Sequence, residues 1–329
     1  MIIIPGRIRL ANLPTRIEKL DRLSKELNGP AIYIKRDDQT GMEFSGNKVR
    51  KLEFTVKEAI DRGCNYLITC GGIQSNHCRA TAAVATRLGM KSCLVLRGNS
   101  DSEPEGNLFL DKMLGAEIVF ITAEQYSQQR NEIMNEIKLQ KEKEGFRPYI
   151  IPEGASNGIG SFGYFIAMEE IITQEKESGI NFDSVVIAVG SGGTYSGLLL
   201  AKKLLNHKAD IVGINVGADK TYFESCIEAI FHESTTYLKK SMYLSKDEIK
   251  IIDGYVGRGY ALSTPEELKF IIRLAQLEGI ILDNVYTGKA MFGLVNEIKK
   301  GTFKDAKNIL FIHTGGMFEL FSQMRLFEF

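Results

Sequence analysis

A charge excess of either sign is what this 329-residue sequence most plainly lacks: lysine plus arginine number 41 and aspartate plus glutamate number 41. A neutral surface gives no electrostatic footprint for nucleic acid or an anionic membrane, so neither is an expected partner. Long apolar runs are also missing; none approaches the roughly 18 residues of a membrane span. The N-terminal Met1-Ile2-Ile3-Ile4-Pro5-Gly6-Arg7 has no h-region and no small-residue cleavage site, so no secretory leader is expected. Cysteine is sparse. Cys64, Cys70, Cys78, Cys93 and Cys226 are odd in number and contain no C-x-x-C pair. They read as free thiols of a cytoplasmic protein, with no metal site expected. Cys78 follows a polar loop, and reads as a small buried helix residue. No repeat period and no low-complexity tract is present, which argues against a solenoid.

What is present is alternation. Apolar, β-type runs occur at 31–35, 66–69, 92–96, 117–121, 149–151, 185–189, 211–216 and 309–313. Helical patterns lie between them at 48–62, 76–88, 124–144, 162–177, 194–206, 265–278 and 289–300. Strands that alternate with helices predict an α/β fold with parallel sheets. The run Val185-Val186-Ile187-Ala188-Val189 reads as a central strand buried on both faces. The length favours two domains. Gly, Ser and Asn cluster at 154–163, which places a domain boundary there. Alternating charges at 138–144 read as a solvated helix face, and 220–250 as a helix followed by a lid-like or surface segment.

Five segments carry candidate chemistry. In Ser45-Gly46-Asn47-Lys48-Val49-Arg50-Lys51, Lys48 follows a Gly-Asn turn at a helix start. A lysine becomes nucleophilic when its pKa falls, and Arg50 and Lys51 are expected to push that of Lys48 down. The competing reading is a surface lysine after an ordinary cap. Gly71-Gly72-Ile73-Gln74-Ser75-Asn76-His77 lies between a strand and a helix, where free N–H groups suit a carboxylate; an ordinary Ser75 N-cap competes. Gly190-Ser191-Gly192-Gly193-Thr194-Tyr195-Ser196-Gly197 follows the buried strand and has the form of a phosphate cradle. It is neither a Walker A loop nor G-x-G-x-x-G, because the third glycine comes too late, so a small phosphate monoester fits better than a dinucleotide. Tyr260, in Gly257-Arg258-Gly259-Tyr260, and Tyr286, in Val285-Tyr286-Thr287-Gly288-Lys289, are candidate acids or bases. Either could instead be a half-buried aromatic. His313, in Ile312-His313-Thr314-Gly315-Gly316, reads as a satisfied core histidine.

In this order and spacing, the five segments resemble the fold-type II pyridoxal-phosphate enzymes. Within that group the chain is similar to the branch of D-cysteine desulfhydrase and 1-aminocyclopropane-1-carboxylate deaminase. The resemblance runs from Leu13-Pro14-Thr15 through Ile34-Lys35-Arg36-Asp37-Asp38 to Thr314-Gly315-Gly316. It implies a two-domain architecture like the β-subunit of tryptophan synthase. A small domain would span 52–162, and a large cofactor-binding domain 1–51 plus 163–329. It implies a homodimer and a small amino-acid substrate. It also implies that Lys48 carries pyridoxal 5'-phosphate through its side-chain nitrogen. Asn76 would meet the ring hydroxyl, and Gly192, Gly193 and Thr194 with Lys51 would hold the phosphate. Gln74, Ser75 and Asn76 would bind the substrate carboxylate, with Ser75 also near the α-carbon. Tyr260 and Tyr286 would flank the substrate as catalytic candidates. Lys48 or a neighbouring hydroxyl would take the α-proton.

One pair of positions discriminates within the branch. Ring-opening deaminases carry Glu after the tyrosine and Leu before the Gly pair. Here those positions are Thr287 and Thr314, beside the expected ring nitrogen. A hydroxyl stabilises a protonated ring less than a carboxylate does, which suffices for a good leaving group such as thiolate. The resemblance therefore implies α,β-elimination of D-cysteine to pyruvate, sulfide and ammonia. L-Cysteate sulfo-lyase is the alternative, with Arg258 as a candidate sulfonate partner, and cyclopropane-carboxylate deamination comes third. A dehydrogenase is disfavoured by glycine spacing and by the lack of an acidic ribose partner. A non-catalytic binder predicts no absorbance from a covalently held cofactor.

Overall fold

The computed structural model describes residues 2–329. Ten strands follow in chain order: β1 (Ile17–Lys19), β2 (Ala31–Lys35), β3 (Tyr66–Gly72), β4 (Lys91–Arg97), β5 (Glu117–Ile121), β6 (Pro148–Ile150), β7 (Ser184–Val189), β8 (Asp210–Asn215), β9 (Lys250–Ile252) and β10 (Asn308–Ile312). They form a six-stranded sheet ordered β1-β2-β10-β7-β8-β9 and a four-stranded sheet ordered β5-β4-β3-β6. Among the described residues every pairing is parallel except β1 on β2. The fold is α/β, as the alternation predicts, with strands close to the expected spans.

The apolar run of β7 explains its central place. Val185, Ile187 and Val189 pack into one hydrophobic core, and Val186 into a second on the opposite face. Burying each such side chain fully contributes on the order of 1.5–3 kcal/mol. A parallel strand covered on both faces is thereby fixed in the sheet interior. β3 occupies the equivalent interior position in the four-stranded sheet.

One sequence expectation needs correction. The helical window 124–144 is two helices, Ala123–Gln128 and Arg130–Lys143, because Gln129 leaves helical geometry (φ −127°, ψ 0°). The glycines at 154–163 fall after β6, the last strand of the four-stranded sheet. The helix Gly158–Ser178 begins among them, and a Cβ on Gly163 would lie 2.5 Å from the Arg50 carbonyl carbon, so the glycine lets this helix press onto Lys48–Asp61. Gly197 likewise is a packing residue: a Cβ there would lie 2.1 Å from the Ser161 carbonyl oxygen. In 220–250 the expected helix is present as Lys220–Tyr237, and the segment after it runs over the surface into edge strand β9. No helix among the described residues is long and apolar enough to cross a membrane.

Candidate active site

The polar segments converge where open α/β sheets place their ligands, beyond the carboxyl ends of central strands. Residues at the ends of β3, β7 and β10 line, with Lys48, a single cavity. Lys48 is the first residue of the helix Lys48–Asp61. Its turn is clamped against the end of β10. Gly46 has φ +107°, a Cβ on it would fall 2.6 Å from the Thr314 carbonyl oxygen, and the Asn47 N–H donates to that same oxygen at 3.1 Å. Asn47 does not cap the helix. Its side-chain Nδ2 donates to Thr194 Oγ1 at 3.1 Å, which ties the lysine turn to the Gly-rich turn.

The Lys48 amine is brought down to about 8. Burial is the main cause, opposed by the acidic side chains of Glu153, Glu319 and Asp283. Its place at a helix N-terminus, where the dipole is positive, works in the same direction as burial. The sequence expectation that Arg50 supplies the push is overturned. Arg50 is buried elsewhere, donating from Nη2 to Asp37 Oδ1 at 2.8 Å and from Nη1 to Glu170 Oε1 at 2.8 Å. Lys51 stays close, and its own amine is lowered by burial first and by Lys48 second.

Lys51 Nζ donates to the Gly154 carbonyl (3.2 Å) and to Ser156 Oγ (3.1 Å), both uncharged. Beside it, Gly192 (φ +84°) opens the helix Gly193–Leu205 without a side-chain cap. A Cβ on Gly193 would lie 2.8 Å from Lys51 Nζ and 2.8 Å from Ser156 Oγ. Ser156 and Ser191 hydroxyls are hydrogen-bonded at 2.8 Å on the same rim. Uncapped helix N–H groups, a buried amine with neutral partners and two hydroxyls form a donor set that fits a phosphate. The residues present fit the phosphate of a pyridoxal phosphate.

On the opposite wall, Ser75 caps the helix Asn76–Arg87 by accepting from the Cys78 N–H at 3.2 Å. Ser75 and Asn76 line the cavity. Gln74 does not bring its side chain to the wall. Its amide accepts from the Asn107 N–H (2.8 Å) and donates to the Glu105 carbonyl (3.0 Å), so only its backbone serves the loop's shape. Cys78 is buried in the helix, as expected. His77 Nε2 meets Thr69 Oγ1 at 2.8 Å, and burial holds the imidazole well below its usual range, hence neutral.

Tyr286 and Tyr260 both face the cavity, with ring centroids 5.9 Å apart and their hydroxyls hydrogen-bonded to each other. Gly190 makes room for Tyr286; a Cβ there would sit 2.9 Å from its ring. Burial, with Tyr260 and Glu319 beside it, raises the Tyr286 phenol well above its ordinary range. The Tyr260 loop is pinned by Lys289, whose amine donates to the carbonyls of Val256 (2.6 Å), Gly259 (2.8 Å) and Leu262 (3.1 Å). Arg258 is exposed and lies outside the cavity wall. The cation near Tyr260 is Arg97, 5.7 Å from its ring centre.

The two threonines differ. Thr314 lines the cavity; Thr287 does not. Thr287 is fully buried, with its hydroxyl donating to Asp283 Oδ1 at 2.6 Å. Asp283 also accepts from the N–H groups of Val285, Tyr286 and Thr287, which fixes the turn that aims Tyr286. His313 is a satisfied core histidine: Gly315 N–H donates to Nδ1, and Nε2 meets the Ile281 carbonyl at 3.0 Å. Asn47, Glu153, Ser156, Asp283, Asn107 and Glu319 were not singled out from sequence. Asn47 lies in the Lys48 turn, Asn107 and Glu319 sit on the short helices Gly106–Met113 and Met317–Phe321, and Glu153, Ser156 and Asp283 carry no motif of their own.

Residues 8–315 match the family described as pyridoxal-phosphate dependent enzymes. The chain is 42% identical over 320 residues to a putative 1-aminocyclopropane-1-carboxylate deaminase of Thermotoga maritima, covering 97% of this chain and 99% of that one. It is 42% identical over 324 residues to a mitochondrial bifunctional D-cysteine desulfhydrase/1-aminocyclopropane-1-carboxylate deaminase of Arabidopsis thaliana, covering 96% and 79%. The crystal structure of an ACC deaminase homologue superposes with TM-score 0.89 at 38% identity, covering 98% of this chain and 95% of that one.

Proposed function

This chain belongs to the pyridoxal-phosphate dependent enzymes, as a lyase of the 1-aminocyclopropane-1-carboxylate deaminase and D-cysteine desulfhydrase family, and from that premise we propose that it converts D-cysteine and water to pyruvate, hydrogen sulfide and ammonia. The observation that carries this reading is Thr287, a hydroxyl already committed to Asp283, in the position after Tyr286. Expulsion of thiolate needs less electron withdrawal from the ring than expulsion of carbon does.

The cofactor, when bound, supplies an aldehyde that captures the substrate amine and a ring that takes up charge from the α-carbon. In this reading Lys51 and the N–H groups of Gly192, Gly193 and Thr194 grip its phosphate. Asn76 meets its ring hydroxyl, and Thr314 lies beside its ring. The loop of Gln74, Ser75 and Asn76 receives the substrate carboxylate on helix N–H groups. Lys48 would hold the aldehyde carbon of the cofactor and lines the cavity beside the substrate. With a pKa of about 8 it is matched to taking the α-proton near neutral pH. Tyr286 and Tyr260 flank the substrate and hold water away from the α-carbon. The reading includes the division into domains 52–162 and 1–51 plus 163–329. A cytoplasmic homodimer also belongs to it; exposed Phe321, Met324 and Leu326 near the C-terminus give apolar surface for a second copy.

Turnover of D-cysteine, L-cysteate and 1-aminocyclopropane-1-carboxylate side by side tests this, with sulfide, sulfite and keto acid measured. D-Cysteine is expected to give sulfide and pyruvate fastest. Faster 2-oxobutyrate from the cyclopropane substrate, as the relatives' names allow, or faster sulfite from L-cysteate, overturns the choice of substrate.

A further inference from the structure

The Asn76 amide is held at both ends. Its Nδ2 donates to Glu319 Oε2 at 3.0 Å, and its Oδ1 accepts from Asn107 Nδ2 at 3.0 Å. Asn107 is itself fixed, since the same Nδ2 donates to the Gln74 carbonyl at 2.8 Å. The nitrogen and oxygen of Asn76 are therefore not interchangeable. One N–H is spent on Glu319, and the other is left for the cavity that Asn76 lines. Glu319 comes from the helix Met317–Phe321, after β10 in the six-stranded sheet, whereas Asn76 follows β3 in the four-stranded sheet. The bond thus crosses the cleft. Glu319 is 3% exposed, and Asn76 donates to its carboxyl group.

We propose that Glu319 is a positioning residue: it accepts from Asn76 and so orients the second N–H of Asn76 toward the cofactor. The inference rests on the cofactor reading above. In this buried site, beside Asp283, the neutral form of the carboxyl costs less than the ionised one. Burial, then Asp283, raise the Glu319 carboxyl well above its ordinary range, against the pull of Asn76, Lys48 and Arg79. A neutral acid needs only its acceptor oxygen for this task, and a glutamine amide offers the same oxygen.

The test is an absorbance titration of cofactor-free protein with pyridoxal phosphate, for wild type, Glu319→Gln, Glu319→Leu, Asn76→Ala and the Asn76→Ala/Glu319→Leu pair. Expected results are wild-type affinity and band position for Glu319→Gln, and affinity about tenfold weaker for Glu319→Leu, one hydrogen bond's worth. In the Asn76→Ala background the leucine should add nothing. Glu319→Ala replaces the leucine variant if that protein does not fold. Wild-type affinity and band in the leucine or alanine protein overturns the proposal. So does a glutamine protein as weak as the leucine one, or a leucine effect undiminished without Asn76. A wild type that binds no cofactor fails the functional reading instead.

Discussion

The Lys48 amine lies 6.0 Å from the centre of the Tyr286 ring. A cation over an aromatic face at that range gains about 0.5–2 kcal/mol and favours the charged form. The net displacement of Lys48 from 10.5 to about 8 runs the other way and corresponds to about 3 kcal/mol. Desolvation therefore outweighs both the ring and the nearby acidic side chains. The ring's main service is to form a wall.

That balance has a pH signature. The neutral amine is the reactive form, and it accumulates as pH rises through the pKa. At pH 7 about a tenth of Lys48 is neutral, against well under a thousandth for an ordinary lysine. The rate at which cofactor-free protein captures pyridoxal phosphate, followed by stopped-flow absorbance, should rise with pH and level off above a midpoint near 8. A rate still climbing tenfold per pH unit at pH 9.5 contradicts the assignment.

Gly193→Ala tests the phosphate cradle. The added methyl would lie 2.8 Å from both Lys51 Nζ and Ser156 Oγ, in the space the proposed cradle leaves for the phosphate. Affinity for pyridoxal phosphate should fall at least tenfold, or about 1.4 kcal/mol, with the far-UV spectrum unchanged. Unchanged affinity in a titration removes the cradle from the account.

Lys289→Met cuts the three bonds that pin the Tyr260 loop. Orphaned carbonyls and a loosened loop should lower unfolding stability by about 3 kcal/mol. The KM for D-cysteine should rise several-fold while cofactor affinity holds. Denaturant melts and steady-state kinetics read both; equal loss of cofactor would show that the loop serves the cofactor rather than the substrate.

Thr287→Glu is the substitution that sequence comparison within the branch invites. The structure predicts that it destabilises this chain. The new carboxylate would be buried against Asp283, and two like charges there cost about 2 kcal/mol or more. Thermal melting should show a clear loss, with no gain of 2-oxobutyrate from the cyclopropane substrate. A stable variant that opens the ring would refute the role given to the Thr287–Asp283 pair.

The sequence was most legible where local pattern and burial agree. β7 and β3 are apolar runs long enough to show, and the helix Pro265–Glu278 is announced by Thr264, a Pro at its start and Gly279 at its end. Short elements escaped. β1, β9, the helix Asp21–Leu27 and the helix Gly106–Met113 have few residues each, and packing rather than propensity decides them. At the site, Lys48, Lys51, Ser75, Asn76, Tyr260, Tyr286 and the Gly192–Gly193 turn could be found because each sits in a glycine-rich or polar punctuation between elements. Their supporting partners could not. Glu319 lies 243 residues from Asn76 in the chain, and nothing in either neighbourhood announces the other. The cause of the Lys48 shift was misread for the same reason: adjacency in sequence set Arg50 beside it, whereas the fold turns Arg50 toward Asp37 and Glu170.

The central claim is that the residue 48 nitrogen holds the cofactor. Borohydride reduction of the cofactor-loaded protein, followed by peptide mass mapping, tests it directly. The account predicts a single phosphopyridoxyl adduct, on the peptide containing Lys48. An adduct confined to another lysine, or none in protein saturated with pyridoxal phosphate, contradicts it.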